Sequence, residues 1–147
     1  MNGILAAQTV KGVAYMIDIE GLDHLVLTVR DVRATCDFYA RVLGMRVVIH
    51  DDPTGTFQFA EMYFGSQKIN LHQLGHEREP KALLPTPGSG DLCFVTMAAP
   101  TEVVEHLRTC GVAIVVGPVP RSGARGPMTS VYFRDPDQNL VEVAHYD

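Results

Sequence analysis

The alternation and clustering of apolar residues predict the elements of this chain in order. Leu22 to Val29 (LDHLVLTV) is dense in β-formers and reads as a buried strand. Asp31 is placed to cap a helix running to about Leu43, with Val32, Cys36, Tyr39 and Leu43 at helical spacing and Gly44 just past its end. Met45 to His50 predicts a strand, Asp51 to Gly55 a polar turn, and Phe57 to Phe64 and Lys68 to Leu74 two further strands. The first half is therefore a β-α-β-β-β unit.

From Gly75 to Gly90 the composition shifts to charged residues, then Pro80, Pro85 and Pro87 with Gly88 and Gly90, as in a linker or lid. Beyond it the pattern starts again. Leu92 to Met97 predicts a strand, Pro100 a first helical position, and Thr101 to Cys110 a helix ending at Gly111. Ile114 to Val116 predicts a short strand, Gly117 to Pro127 a Gly/Pro/Arg loop, Thr129 to Arg134 a strand, and Leu140 to His145 the last strand. The second half repeats the first.

The stretch Tyr132 to Val143 (YFRDPDQNLVEV) sets a tight polar turn, Asp135 to Asn139, directly before a strand carrying one carboxylate, Glu142. A glutamate in so apolar a run costs several kcal/mol to desolvate unless a cation, a metal or hydrogen bonds compensate it.

The repeat turns single residues into equivalent positions. Registering the first strands, LDHLVLTV over SGDLCFVT, places His24 opposite Asp91. Registering the last strands from Phe64 and Phe133 through their turns places His72 opposite Glu142. A lone strand histidine is more often hydrogen-bonded than metal-bound. Four polar residues at four related strand positions make a stronger case. Two imidazoles and two carboxylates suit borderline to hard divalent ions: Mn, Fe, Co, Ni or Zn. Period-two alternation keeps Lys68, Asn70 and His72 on one face.

Composition narrows the class. The 147 residues, 46% hydrophobic and 20% charged, suffice for one or at most two compact units. A net charge of −5, with Arg121 and Arg125 the main basic pair in one loop, argues against nucleic acid as a partner. Cys36, Cys93 and Cys110 are odd in number and lack CxxC spacing, which predicts free thiols in a reducing compartment. Residues 1–18 read as a flexible extension, with Met16 a possible alternative start. The apolar run Ile4 to Ala7 is too short for a signal-peptide core or a membrane span, so a cytoplasmic location with no membrane partner is expected.

The segments LDHLVLTV, DVRATCDFYARVLGM, FGSQKINLHQ and YFRDPDQNLVEV together resemble the vicinal oxygen chelate superfamily, which includes glyoxalase I, fosfomycin-resistance thiol transferases, bleomycin-resistance proteins and extradiol dioxygenases. KINLHQLG, EREPKALLPTPGSGDLC and GPVPRSGARGP bring it nearest to the branch of glyoxalase domain-containing protein five and its bacterial relatives. The resemblance implies an α+β fold in which two βαβββ modules, about residues 19–75 and 90–147 with a linker at 76–89, form a U-shaped cleft around one divalent metal. It implies His24, His72, Asp91 and Glu142 as the ligands. Asp91 departs from the histidine usual in glyoxalase I and the fosfomycin enzymes, and without it His24, His72 and Glu142 would make a 2-His-1-carboxylate site.

The activity implied is a metal-dependent lyase or isomerase of glyoxalase type on a small molecule with vicinal oxygens, with Glu142 as base. Arg121, Arg125 and Asn70 are the candidate substrate contacts. Other classes with the same resemblance are an extradiol-type dioxygenase, a fosfomycin-type thiol transferase and a metal-free small-molecule-binding resistance protein. A symmetric homodimer is expected, with modules paired within one chain or across two.

Overall fold

The computed structural model of the protein describes residues 17–146. Apart from Ile17 and Asp18, which have no regular structure, the extension expected over residues 1–18 lies outside them. The elements are β1 (His24–Val29), α1 (Val32–Leu43), β2 (Arg46–Asp51), β3 (Gln58–Phe64) and β4 (Gln67–Gln73), then β5 (Asp91–Val95), α2 (Pro100–Thr109), β6 (Ile114–Gly123), β7 (Gly126–Arg134) and β8 (Leu140–Tyr146).

Local chemistry sets the boundaries. The Asp31 carboxylate accepts the Ala34 N–H at 2.9 Å and caps α1. Gly44 ends the helix in the left-handed region at φ 66°, donating its own N–H to Ala40 and Tyr39 carbonyls. Pro100 opens α2, and the Glu102 carboxylate accepts the Ala99 N–H at 2.7 Å. Between β2 and β3 the Asp52 carboxylate gathers the N–H groups of Thr54, Thr56 and Phe57, which folds the polar turn.

The strands form two four-stranded sheets of the same topology, β1-β4-β3-β2 and β5-β8-β7-β6. In each, the first strand runs parallel to the last and the other neighbours are antiparallel. This is an α+β fold of two βαβββ modules. One face of the first sheet buries Leu27, Val29, Ala60, Met62, Ile69 and Leu71 with Val32, Cys36, Tyr39 and Val42 of α1. Val131, Phe133, Val141 and Val143 extend the same core through the second sheet, with Leu107 of α2. Each fully buried large side chain of this kind stabilises the fold by roughly 1.5–3 kcal/mol.

The expected loop over Gly117 to Pro127 is instead a long hairpin, β6 and β7, turning at Ala124 and Arg125. Pro118 and Pro120 lack a donor, which suggested a loop. They are accommodated because β6 is the edge of its sheet and its register slips around Gly117 and Pro118. Gly117 sits at φ 127°, and a Cβ there would lie 2.6 Å from the Ser130 carbonyl oxygen.

The turn Asp135 to Asn139 clasps the modules together. Asp135 is buried and accepts hydrogen bonds from Tyr39 Oη at 3.1 Å, Asn139 Nδ2 at 2.8 Å and the N–H groups of Asp137 and Asn139. Asp137 accepts from the Arg30 backbone and from Arg30 Nη1 at 2.9 Å, while Gly90 donates its N–H to Asn139 Oδ1. Phe64 and Phe94 add an edge-to-face contact between modules at 5.2 Å. No described helix is long and apolar enough to cross a membrane.

Candidate functional site

Strand alternation that sends one set of side chains into the core sends the other to the opposite face of each sheet. On the first sheet this face carries His24, Val26 and Thr28 of β1, Lys68, Asn70 and His72 of β4, and Phe59, Glu61 and Tyr63 of β3. On the second it carries Asp91, Cys93 and Val95 of β5, Glu142 and Ala144 of β8, and Tyr132 of β7.

The ladders fix which positions correspond. His24 pairs with Lys68 and Val26 with Asn70, just as Asp91 pairs with Leu140 and Cys93 with Glu142. His24 and Asp91 are therefore equivalent, as expected. The partner of Glu142 in the first module, however, is Asn70 and not His72. This corrects the registration made through Phe64 and Phe133: Met62, across from Ile69, matches Phe133, across from Val141. His72 pairs with Thr28, four residues beyond His24 on the same ladder, about 13 Å away at the usual rise per residue. Within one chain His24 and His72 do not share an ion.

Each remaining pair has features of a half-site. His24 is half-exposed, and its Nδ1 lies 2.6 Å from Asp23 Oδ1, an arrangement that orients an imidazole and leaves Nε2 free. Glu142 is only 9% exposed, and its Oε1 is buried without a hydrogen-bond partner among the described residues. Asn70 Oδ1 is orphaned in the same way. Asp91 stands exposed at the start of β5. These are the places where a cation would supply what the protein does not. One imidazole, one amide oxygen and two carboxylates form a nitrogen and oxygen donor set that fits a borderline to hard divalent ion. Yet no three His, Cys, Asp or Glu side chains among the described residues converge on one point. The residues fit a metal as two two-donor halves, not as one centre within a single chain.

Glu142 lies in a row with Cys93 on one side and Tyr132 on the other. Burial, then the Glu142 carboxylate, pushes the Cys93 thiol up to about 11, so it is protonated at neutral pH. The Tyr132 phenol is also raised, by burial first and by Glu142, against the opposing pull of Arg121. Arg121 Nε donates to Tyr132 Oη at 3.1 Å, which brings this guanidinium to the row of Glu142. Arg125 sits apart, on the hairpin tip, its guanidinium 4.1 Å from the Tyr146 ring centroid. The sequence marks Cys93 only as a free thiol and Tyr132 only as the start of the YFRDPDQNLVEV stretch, and it does not single out Asp23. The Asp-His dipeptide was the one available signal for Asp23.

Beside Asn70 on the first sheet, Glu61 accepts from Lys68 Nζ at 2.6 Å and lies 3.3 Å from His50 Nε2. Those two bonds hold its carboxyl down at about 2. His72 lies under the connection between modules, where burial and then Arg78 lower its pKa. A cavity of about 900 Å³ between the end of α1, β5 and α2 contains none of His24, Asn70, Asp91 or Glu142.

Comparison with known proteins agrees with this architecture. The family model described as the Glyoxalase/Bleomycin resistance protein/Dioxygenase superfamily matches residues 21–143. The chain is 50% identical over 134 residues to the glyoxalase domain-containing protein RDO1 of Mycosarcoma maydis, covering 88% of this chain and 70% of that one. It is 49% identical over 128 residues to virulence protein STM3117 of Salmonella typhimurium, covering 87% and 85%. The crystal structure of that protein superposes with a TM-score of 0.81 over 89% of this chain and all of that one. A lactoylglutathione lyase from Agrobacterium tumefaciens, 22% identical with a TM-score of 0.65 over 87% and 95% of the two chains, shares the fold.

Proposed function

The chain belongs to the Glyoxalase/Bleomycin resistance protein/Dioxygenase superfamily, and from that premise we propose that it is a metal-dependent lyase or isomerase of glyoxalase type. Its substrate is a small molecule with two neighbouring oxygens, such as a hemithioacetal. The observation that supports this reading most is the equivalence of two half-sites, His24 with Asn70 and Asp91 with Glu142, in which both Asn70 and Glu142 present an orphaned buried oxygen.

His24, Asp91 and Glu142 would hold a nickel, zinc, cobalt, manganese or iron ion, with Asn70 contributing its amide oxygen. The bound ion would supply Lewis-acid polarisation of the substrate oxygens. Because each chain keeps its halves apart, the site is completed by the facing half of a second copy in a symmetric homodimer.

Glu142 is the base. Its carboxylate takes a proton from one substrate carbon and returns it to the neighbouring one, work that contributes roughly 10²–10⁴-fold. Tyr132 and Cys93 flank it on the neighbouring strands. Arg121, fixed through Tyr132, offers its guanidinium edge to an anionic group on the substrate. Arg125 gives a second, peripheral charge. Glu142→Gln, with metal content verified, tests the assignment on a hemithioacetal substrate. Turnover is expected to fall by about 10²–10⁴-fold; unchanged turnover with metal still bound overturns it.

A further inference from the structure

We propose that the hollow beneath the Gly75 to Gly90 connection binds an uncharged, apolar portion of a small molecule, and that His72 reads a hydrogen-bond acceptor on that portion. The occupant is taken to be the substrate of the activity proposed above, but binding in the hollow needs no metal.

The connection is pinned rather than slack. Near its start the Arg78 guanidinium lies 3.5 Å from the Phe59 ring centroid, and His76 stacks on Phe57 at 4.5 Å with a 10° interplanar angle. At its end Gly90 donates to Asn139 Oδ1 and accepts from the Leu140 N–H at 3.0 Å. Held at both ends, the segment roofs a cavity of about 380 Å³. That volume falls within the range of roughly 300–1,000 Å³ usual for small-molecule pockets.

The lining chemistry selects the occupant. Val26, Pro80, Leu84 and Pro85 make much of it apolar, and Leu84 is 81% exposed among the described residues. The two charged residues that line it offset each other: Lys81 Nζ lies 3.3 Å from the Glu77 carboxylate. A free anion therefore gains little here. His72 supplies the direction. Its Nδ1 accepts the Arg78 N–H at 3.4 Å, which places the ring proton on Nε2, and that donor has no partner among the described residues. Val26 is also the ladder partner of Asn70, so the hollow borders the first half-site.

Acetophenone, an aromatic ketone, and ethylbenzene, which lacks the acceptor, are the probes. Each is titrated into the full chain and into His72→Phe, with the imidazole ¹⁵N signals followed by NMR and dissociation constants taken from the shifts of nearby amides. Acetophenone should move the His72 Nε2 signal and bind the wild type about fivefold more tightly than the variant, the ratio one neutral hydrogen bond provides. Ethylbenzene should bind both alike. No shift up to the solubility limit, or equal acetophenone affinity for both proteins, overturns the proposal. Metal content measured on the same samples separates the two readings: loss of metal in His72→Phe refutes the ligand set proposed above, whatever the ketone does.

Discussion

Asn70 and Glu142 hold the same position in two different sheets, each one strand over and two residues along from the residue that opens the first strand of its module. One is an amide and the other a carboxylate, so the two positions differ by one charge. Asn70→Glu should add a third carboxylate and tighten divalent-metal binding at least tenfold, whereas Asn70→Ala should weaken it a few-fold. Chelator competition measures both, and weaker binding in Asn70→Glu would contradict the equivalence.

The buried Asp135 carboxylate is one anchor of module docking. Asp135→Ala leaves the Tyr39 hydroxyl and the Asn139 amide groups without their acceptor. Each buried orphan costs about 1–3 kcal/mol, so the variant should lose about 3 kcal/mol or more and Tyr39→Phe about 1–2 kcal/mol. Urea denaturation reads both values, and a loss below about 1 kcal/mol in Asp135→Ala would show that the clasp is dispensable.

The Glu61 pair carries a pH signature. Its folded pKa, held at about 2 by the bonds to Lys68 and His50, lies below the ordinary 4.5. A depressed carboxyl stabilises the fold above the ordinary value and loses that contribution as pH falls through 4.5 towards 2. The gap in urea midpoint between wild type and Glu61→Gln should therefore be present at pH 7 and close over that window. A gap that does not change with pH would mean that the carboxylate's charge is not what Lys68 and His50 stabilise.

Gly117 should resist substitution. At φ 127°, with the Ser130 carbonyl oxygen 2.6 Å from where a Cβ would stand, Gly117→Ala strains the edge strand and should cost about 2–3 kcal/mol. Stability equal to wild type would show that β6 re-routes around the site.

Much of this architecture was readable in the pattern of residues. Asp31 and Gly44 bracket α1 as their chemistry demands, and the strands of the first module fall within a residue or two of where alternation put them. The hairpin over Gly117 to Pro127 was hidden because its prolines signal a break, and only the tertiary fact that β6 is an edge makes them acceptable. The slip from Asn70 to His72 has another cause. Aligning Phe64 with Phe133 displaced the register by two residues, and such a shift keeps every side chain on its own face. Alternation alone could not detect it. Nor could sequence show the union of Asp135 with Tyr39, 96 positions apart.

The most direct test of the central claim is the metal content of protein purified without a nickel column, measured by elemental analysis for wild type, His24→Ala and His72→Ala. The account predicts about one divalent transition metal per chain in wild type, its loss in His24→Ala and its retention in His72→Ala. Loss in His72→Ala with retention in His24→Ala would contradict it.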